Sequence, residues 1–187
     1  MIAVYVSFCE NDKEKMHEKA VSMRDSVLSS LLPTYTPEKI TVINEGKPVL
    51  KDFPLCFSIS HSGGAVAFAV GGDFLSPPPL DGAITYEISH IPAEIGVDIE
   101  SISREINFRS VMKDIFSPSE ISYVGESKEK FIDIFTRKES LCKLTGNGLR
   151  EMDNFDTFNL PPSIIIENYH VNSGENSFSV SISYKKQ

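Results

Sequence analysis

Hydrophobic and polar positions follow two different periods along this chain of 187 residues. A period of two over residues 2–8 predicts a strand with one buried face. Over residues 12–32 the apolar side chains recur every three or four positions, which predicts an amphipathic helix ended by Pro33 and Pro37. Three more extended segments are predicted, near 40–44, 55–61 and 65–70.

The second half of the chain shows a similar order of elements. A strand is predicted near 94–100, helices at about 105–115, 118–125 and 128–145, and strands near 163–170 and 177–184. Between the halves, Gly71-Gly72-Asp73 and Ser76-Pro77-Pro78-Pro79 predict a loop or hairpin over residues 71–94. The order predicts two structurally similar halves, residues 1–92 and 93–187, although no convincing sequence repeat relates them.

The acidic composition narrows the classes of partner. The formal net charge is −8, which argues against sequence-independent nucleic-acid binding. No apolar run approaches the roughly 20 residues that cross a bilayer, and the apolar N-terminus lacks the basic region of a secretory signal. Three cysteines without CxxC spacing fit a reducing compartment. We therefore expect a cytoplasmic protein that binds neither nucleic acid nor membrane.

Two acidic motifs carry the candidate chemistry. In Gly96-Val97-Asp98-Ile99-Glu100 both carboxylates alternate with apolar residues, so they share one face of a strand, where Gly96 would allow close approach of a ligand. Glu139 and Lys143 are four residues apart in a predicted helix and share a face. A solvated strand and a surface ion pair are the ordinary alternatives. Together, three carboxylates and a lysine suggest a hard cation that holds phosphates.

A third motif is Phe57-Ser58-Ile59-Ser60-His61-Ser62-Gly63-Gly64. Its alternation predicts a strand with three serines on one face and Phe57, Ile59 and His61 on the other. Hydroxyl groups, a histidine and free backbone N–H groups at a strand end suit phosphate oxygens. The alternative is a histidine with a purely structural role.

Smaller signals have structural explanations. Ser117-Pro118-Ser119-Glu120 predicts a capping box, so we expect Glu120 to cap a helix rather than bind a metal. Gly46-Lys47-Pro48 is predicted to be a turn. No Gly-x-Ser-x-Gly motif or Cys–His pairing indicates a covalent nucleophile.

In this order and spacing the motifs resemble those of the 4′-phosphopantetheinyl transferase superfamily, in particular its larger, monomeric, surfactin-synthetase-activating (Sfp) type. The matching segments are Gly46-Lys47-Pro48 and residues 57–62, 96–100 and 131–149. The resemblance implies a pseudo-dimer of two similar α+β halves with coenzyme A in the cleft between them. Residues 1–92 would hold the nucleotide end, and residues 93–187 would bind magnesium and carry the catalytic groups.

The activity that this resemblance implies is a Mg²⁺-dependent transfer. The 4′-phosphopantetheine group of coenzyme A would pass to a serine of an acyl or peptidyl carrier protein, and adenosine 3′,5′-bisphosphate would be released. The enzyme class would be holo-[acyl-carrier-protein] synthase, serving fatty acid, polyketide or nonribosomal peptide biosynthesis. Mn²⁺ could replace Mg²⁺, because both accept oxygen ligands.

The resemblance also implies roles for individual residues. Asp98, Glu100 and Glu139 match the magnesium ligands, and Glu139 is the candidate base for the carrier serine. Lys143 matches a pyrophosphate-binding lysine that acts in catalysis. The residues expected to contact coenzyme A are Lys47, Ser60, His61, Asp98, Lys138 and Lys143. The residues expected at the carrier-protein docking surface are Arg104, Arg109 and Lys113.

The chain departs from the family pattern at two places. Phe135 stands where a tryptophan is usual, and Val21-Ser22-Met23 stands where an arginine followed by Ser/Thr-Leu helps to hold the 3′-phosphate. The second departure motivates an alternative, a non-catalytic member of the same fold that binds a carrier protein or a nucleotide. A third possibility is another Mg²⁺-dependent enzyme of phosphate transfer or hydrolysis on a nucleotide.

Overall fold

The computed structural model describes residues 1–43 and 47–186. The strands are β1 (Ile2–Phe8), β2 (Ile40–Ile43), β3 (Lys47–Leu50), β4 (Cys56–Ser62), β5 (Ala65–Gly71), β6 (Ala83–Ile88), β7 (Pro92–Ser101), β8 (Ile164–Ser173) and β9 (Asn176–Lys186). The helices are α1 (Lys13–Leu31), α2 (Phe108–Ile115), α3 (Pro118–Val124) and α4 (Lys128–Thr145), with 3₁₀ turns at Pro37–Lys39 and Leu149–Asn154. This mixture fits the predicted α+β class. Within the described ranges, no helix has both the length and the apolar character needed to cross a membrane.

Two antiparallel sheets form the framework. The first has the strand order β4-β5-β1-β6 and the second has the order β7-β9-β8, while β2 and β3 pair as a separate hairpin. The sheets meet where β4 packs beside β7. Alternate residues of β1 and β5 therefore face either the second sheet or helix α1, and both strands are buried almost throughout.

Helix α1 covers the outer face of the first sheet. Asp12 caps its N-terminus by accepting hydrogen bonds from the backbone N–H groups of Glu14 and Lys15, both at 3.0 Å. The predicted apolar face is confirmed as buried, and it packs against Tyr5 and Phe68. Its buried members are Met16, Ala20, Met23, Val27 and Leu28.

Helix α4 packs on the second sheet at unusually close range. A Cβ added at Gly96 of β7 would lie 2.1 Å from the backbone oxygen of Ser140. Only glycine therefore permits this approach, and the neighbour that uses the space is a helix rather than the ligand that we expected. The helix ends at Gly146, whose φ of +74° is the left-handed conformation of a C-terminal cap.

Strands lie in two segments for which the sequence predicted a loop or hairpin and a turn. Strand β6 lies within residues 71–94 and pairs with β1, for example Ser7 opposite Ala83. It is an edge strand in which half of the side chains are exposed, so the apolar alternation that marks a strand is weak there. Lys47 and Pro48, predicted to lie in a turn, belong to β3, and Gly46 lies outside the described residues.

Candidate metal and nucleotide site

Three carboxylates converge where β7 meets α4. Asp98, Glu100 and Glu139 each offer an oxygen atom, and these atoms lie within 4.8 Å of one another. Asp98 is only 1% exposed, and its Oδ2 is buried without a hydrogen-bond partner among the described residues. Buried carboxylates this close repel unless a cation lies between them. The donor set fits a hard cation such as Mg²⁺, which prefers carboxylate oxygens.

The ionisation of these groups reflects their crowding. Burial, followed by the charge of Asp98, raises the pKa of Glu139 to about 9, although Lys143 opposes the shift. Burial also raises the pKa of Glu100, again with a contribution from Asp98. A bound divalent cation would favour the charged forms of these carboxylates.

Serine side chains of β4 hold the carboxylates of β7. Ser60 Oγ donates to Asp98 Oδ1 at 2.7 Å, and Ser62 Oγ donates to Glu100 Oε2 at 2.7 Å. Ser58 Oγ accepts from the backbone N–H of Val97 at 3.0 Å. The three serines share one face as predicted, but their hydroxyl groups contact the acidic strand. Ser60, which the resemblance places at coenzyme A, thus directs its hydroxyl hydrogen atom to Asp98.

Two basic side chains also reach the carboxylate cluster. Lys143 Nζ donates to Asp98 Oδ1 at 2.7 Å, so the helix and the strand bring these two predicted site residues together. Arg104 Nη1 donates to Glu100 Oε1 at 2.6 Å, and its guanidinium lies 5.8 Å from the centroid of the Phe135 ring. An aromatic contact is therefore kept at the position where the resemblance expects tryptophan.

The other predicted docking residues lie on α2. Arg109 and Lys113 are exposed, and Arg109 forms an ion pair with Glu126. Arg104 differs from them because it is bound to a carboxylate of the cluster. The structure therefore separates the three residues into one that contacts the acidic site and two that form a surface patch.

A cavity of about 460 Å³ opens beside Glu139 and Lys143. Its remaining wall residues are Lys47, Pro48, Phe57, Ser58, Ile59, Cys142, Gly146, Gly148 and Leu149. Lys47 Nζ donates to the backbone oxygen of Leu144 at 2.5 Å, close to the end of α4. Burial lowers the pKa of Lys47. This lysine thus lines the cavity, with its ammonium group bound to the helix.

A second cavity, of about 280 Å³, shares Ile59 and Lys143 with the first. His61 and Ser60 line it together with His17 and Arg24 of α1. Burial is the main cause that lowers the pKa of His61, and the charge of Lys143 adds to it. His17 and Arg24 were not among the predicted site residues. Their spacing of seven, which places both on one face of a helix, was the available signal.

Lys138 does not reach either cavity. Its ammonium group donates to the backbone oxygens of Met152, at 3.1 Å, and Phe155, and it forms an ion pair with Glu120. A lysine has three N–H donors, so none remains for coenzyme A, and we correct that prediction. Glu120 also caps α3, because its Oε2 accepts from the Ser117 backbone N–H at 2.8 Å. The predicted capping box is confirmed.

Fold and site together define an α+β protein with a buried carboxylate cluster beside two adjoining cavities. Residues 94–184 match the family model of the 4′-phosphopantetheinyl transferase superfamily. This part of the chain, just under half of its length, thus carries a domain similar to that superfamily, which supports a transferase of phosphopantetheine. The matched range includes all three converging carboxylates and Lys143, but neither α1 nor β4. A comparison with curated proteins finds no match.

Proposed function

We propose that this protein is a Mg²⁺-dependent 4′-phosphopantetheinyl transferase of the Sfp type, acting on acyl or peptidyl carrier proteins. The observation that carries the proposal is the convergence of Asp98, Glu100, Glu139 and Lys143 within the matched range, beside a cavity. In the reaction, the serine oxygen of the carrier bonds to the β-phosphorus of coenzyme A. The bond from that phosphorus to the bridging oxygen breaks, and adenosine 3′,5′-bisphosphate leaves.

Asp98, Glu100 and Glu139 would hold the magnesium ion, and Mn²⁺ fits the same oxygen donors. When bound, the cation would supply positive charge that neutralises the pyrophosphate oxygens. Charge neutralisation and positioning supply most of the catalysis in phosphoryl transfer, which explains why a protein would keep three carboxylates in a buried position.

Glu139 and Lys143 would act on the reacting groups. Beside a bound cation the carboxylate of Glu139 would be ionised, and it would accept the proton of the carrier serine. Lys143 lies where the two cavities adjoin, and its side chain is 29% exposed. It would donate to the pyrophosphate and stabilise charge on the leaving group.

The nucleotide end of coenzyme A would occupy the two adjoining cavities. Their walls come from both parts of the chain, residues 1–92 and 93–187, which supports a ligand bound between two halves of a pseudo-dimer. Lys47 would line the larger cavity, and His61 would face a phosphate in the smaller one. There, Arg24 and His17 would supply the basic groups that Val21-Ser22-Met23 lacks.

The carrier protein would dock on α2 through the exposed Arg109 and Lys113. Carrier proteins are typically acidic around the modified serine, so a local basic patch would compensate for the acidic charge of this chain. We further propose that the enzyme acts as a monomer in the cytoplasm, where its three free thiols would remain reduced.

One assay tests this function directly. The protein is incubated with coenzyme A, Mg²⁺ and a panel of apo-carrier proteins, and mass spectrometry follows the carrier. We expect a gain of ~340 Da, the mass of one phosphopantetheine under this transfer chemistry. The Glu139→Gln variant should bind coenzyme A yet modify the carrier far more slowly. Binding of coenzyme A or carrier without any modification would support the non-catalytic alternative instead.

A further inference from the structure

We propose that the hydroxyl groups of Ser60 and Ser62 are positioning groups for the cation ligands Asp98 and Glu100. In this arrangement a strand of the first sheet sets the metal affinity of a site built on the second. The inference rests on the proposed function for the identity of the cation. It assigns to Ser62 a role in the acidic site, and it gives Ser60 a task other than contact with coenzyme A.

The hydrogen bonds leave one carboxylate oxygen of Asp98 available. Ser60 and Lys143 both donate to Oδ1 at 2.7 Å, whereas Oδ2 is buried without a partner among the described residues. A carboxylate held through one oxygen has its plane fixed, so the direction of the other oxygen is fixed as well. Asp98 is thus oriented before a cation binds.

Glu100 is held in a similar way from both sides. Ser62 donates to Oε2 at 2.7 Å and Arg104 donates to Oε1 at 2.6 Å. Each carboxylate oxygen has a second lone pair, so these bonds leave acceptor capacity for a cation. A serine hydroxyl is a neutral donor. It therefore orients the carboxylate without the charge repulsion that a lysine would exert on a metal ion.

The positions of Ser60 and Ser62 are also fixed by the packing of β4. Ser60 and Ser62 lie on β4, which pairs with β5 through Ala67 and Ala65. Beyond the strand, a Cβ added at Gly63 would lie 2.8 Å from Ser101 Cβ at the end of β7. The position of β4 relative to β7 is therefore fixed by packing as well as by side-chain hydrogen bonds. Hydrogen-bond partners of metal ligands typically change metal affinity by about 10- to 100-fold when they are removed.

Titration with Mn²⁺ alone tests the inference without activity as the readout. Free Mn²⁺ is measured by electron paramagnetic resonance for the wild type and for Ser62→Ala, Ser60→Ala and Ser62→Thr. We expect Ser62→Ala and Ser60→Ala to weaken binding by about tenfold and Ser62→Thr, which keeps the hydroxyl, to retain it. Ser29→Ala is the control, because Ser29 is exposed on α1 and lines neither cavity. It should keep the wild-type affinity for Mn²⁺.

The possible results separate the inference from the proposed function. Wild-type affinity in both the Ser60→Ala and Ser62→Ala variants, or an equal loss in Ser29→Ala, would overturn the inference and leave the transferase proposal standing. If the wild-type protein and Glu100→Gln bind Mn²⁺ equally poorly, both proposals are wrong. Thermal melting verifies that each variant is folded. If Ser62→Ala fails to fold, Ser60→Ala decides the result.

Discussion

The Nζ atom of Lys138 lies 2.9 Å from Oε2 of Glu120, and neither side chain has any exposed surface. The next residue along α4, Glu139, points instead into the carboxylate cluster. Adjacent residues of one helix thus contribute to two separate regions. Lys138 connects α4 to α3 through its ion pair with Glu120, and it also donates to the backbone oxygen of Met152. Glu139 lies beside the cavity.

We expect Lys138→Met to destabilise the protein strongly without a direct effect on the site. The change leaves the buried carboxylate of Glu120 without its cationic partner and removes two hydrogen bonds to backbone oxygens. Breaking a buried ion pair on one side typically costs roughly 3–5 kcal/mol. Urea denaturation measures the free energy of unfolding. Lys130→Met, an exposed change on the same helix, is the control, and equal stability of the two variants would contradict this account.

The helical period explains which assignments on α4 could be predicted. Glu139 and Lys143 are four residues apart, so the sequence correctly places them on one face of the helix. Lys138 is rotated by about 100° from Glu139, since a turn takes 3.6 residues. The same rule therefore argues against a shared site for these two neighbours. The resemblance overrode that signal, and the buried partner Glu120 could not be identified without the packing of α3 against α4.

The contacts between segments that are distant in the chain could not be predicted from the sequence. Alternation along β4 predicts that its serines share a face, but it does not reveal that this face meets Asp98 and Glu100. Likewise, His17 and Arg24 become part of a cavity only because α1 crosses the first sheet next to His61. A local pattern predicts which side chains share one face of a strand or helix. Which segment of the chain contacts that face depends on how the two sheets pack.

Glu139 should make the metal-free protein less stable as the pH rises. Its pKa is about 9 in the folded protein against an ordinary value of 4.5, so the folded state binds the extra proton between these values. Stability therefore falls with rising pH over that interval. We expect the melting temperature in a chelating buffer to decline more steeply for the wild type than for Glu139→Gln.

Two further measurements complete that experiment. Added Mg²⁺ should raise the melting temperature of the wild type most at alkaline pH, because it favours the ionised carboxylates. Glu175→Gln, an exposed change in the turn between β8 and β9, should follow the wild-type curve. If the melting temperatures of the wild type and Glu139→Gln fall in parallel as the pH rises, ionisation of Glu139 is not the cause of the lost stability.

Arg24 should distinguish coenzyme A from its 3′-dephospho form. Arg24 lines the smaller cavity together with His17 and His61, and a charge-assisted contact with a phosphate is stronger than a neutral one. We expect Arg24→Ala to weaken coenzyme A binding by about tenfold, from a hydrogen bond to a charged group worth about 1.5 kcal/mol. Binding of the dephospho form should not change. Calorimetric titration measures both affinities, and Arg109→Ala is the control. An equal loss of affinity for both ligands would show that Arg24 does not recognise the 3′-phosphate.

Charge reversal on α2 tests the carrier docking surface. Arg109→Glu and Lys113→Glu should each raise KM for the carrier protein while kcat and coenzyme A affinity stay unchanged. Loss of an exposed ion pair costs about 1 kcal/mol at most and charge reversal adds a repulsion of similar size, so the increase should be no more than about 30-fold for each residue and should shrink as salt is added. Lys15→Glu is the matched control, because Lys15 also lies on an exposed helix face in an ion pair, with Glu10. If Lys15→Glu raises KM as much as the α2 variants, the effect reflects net charge and α2 is not the docking surface.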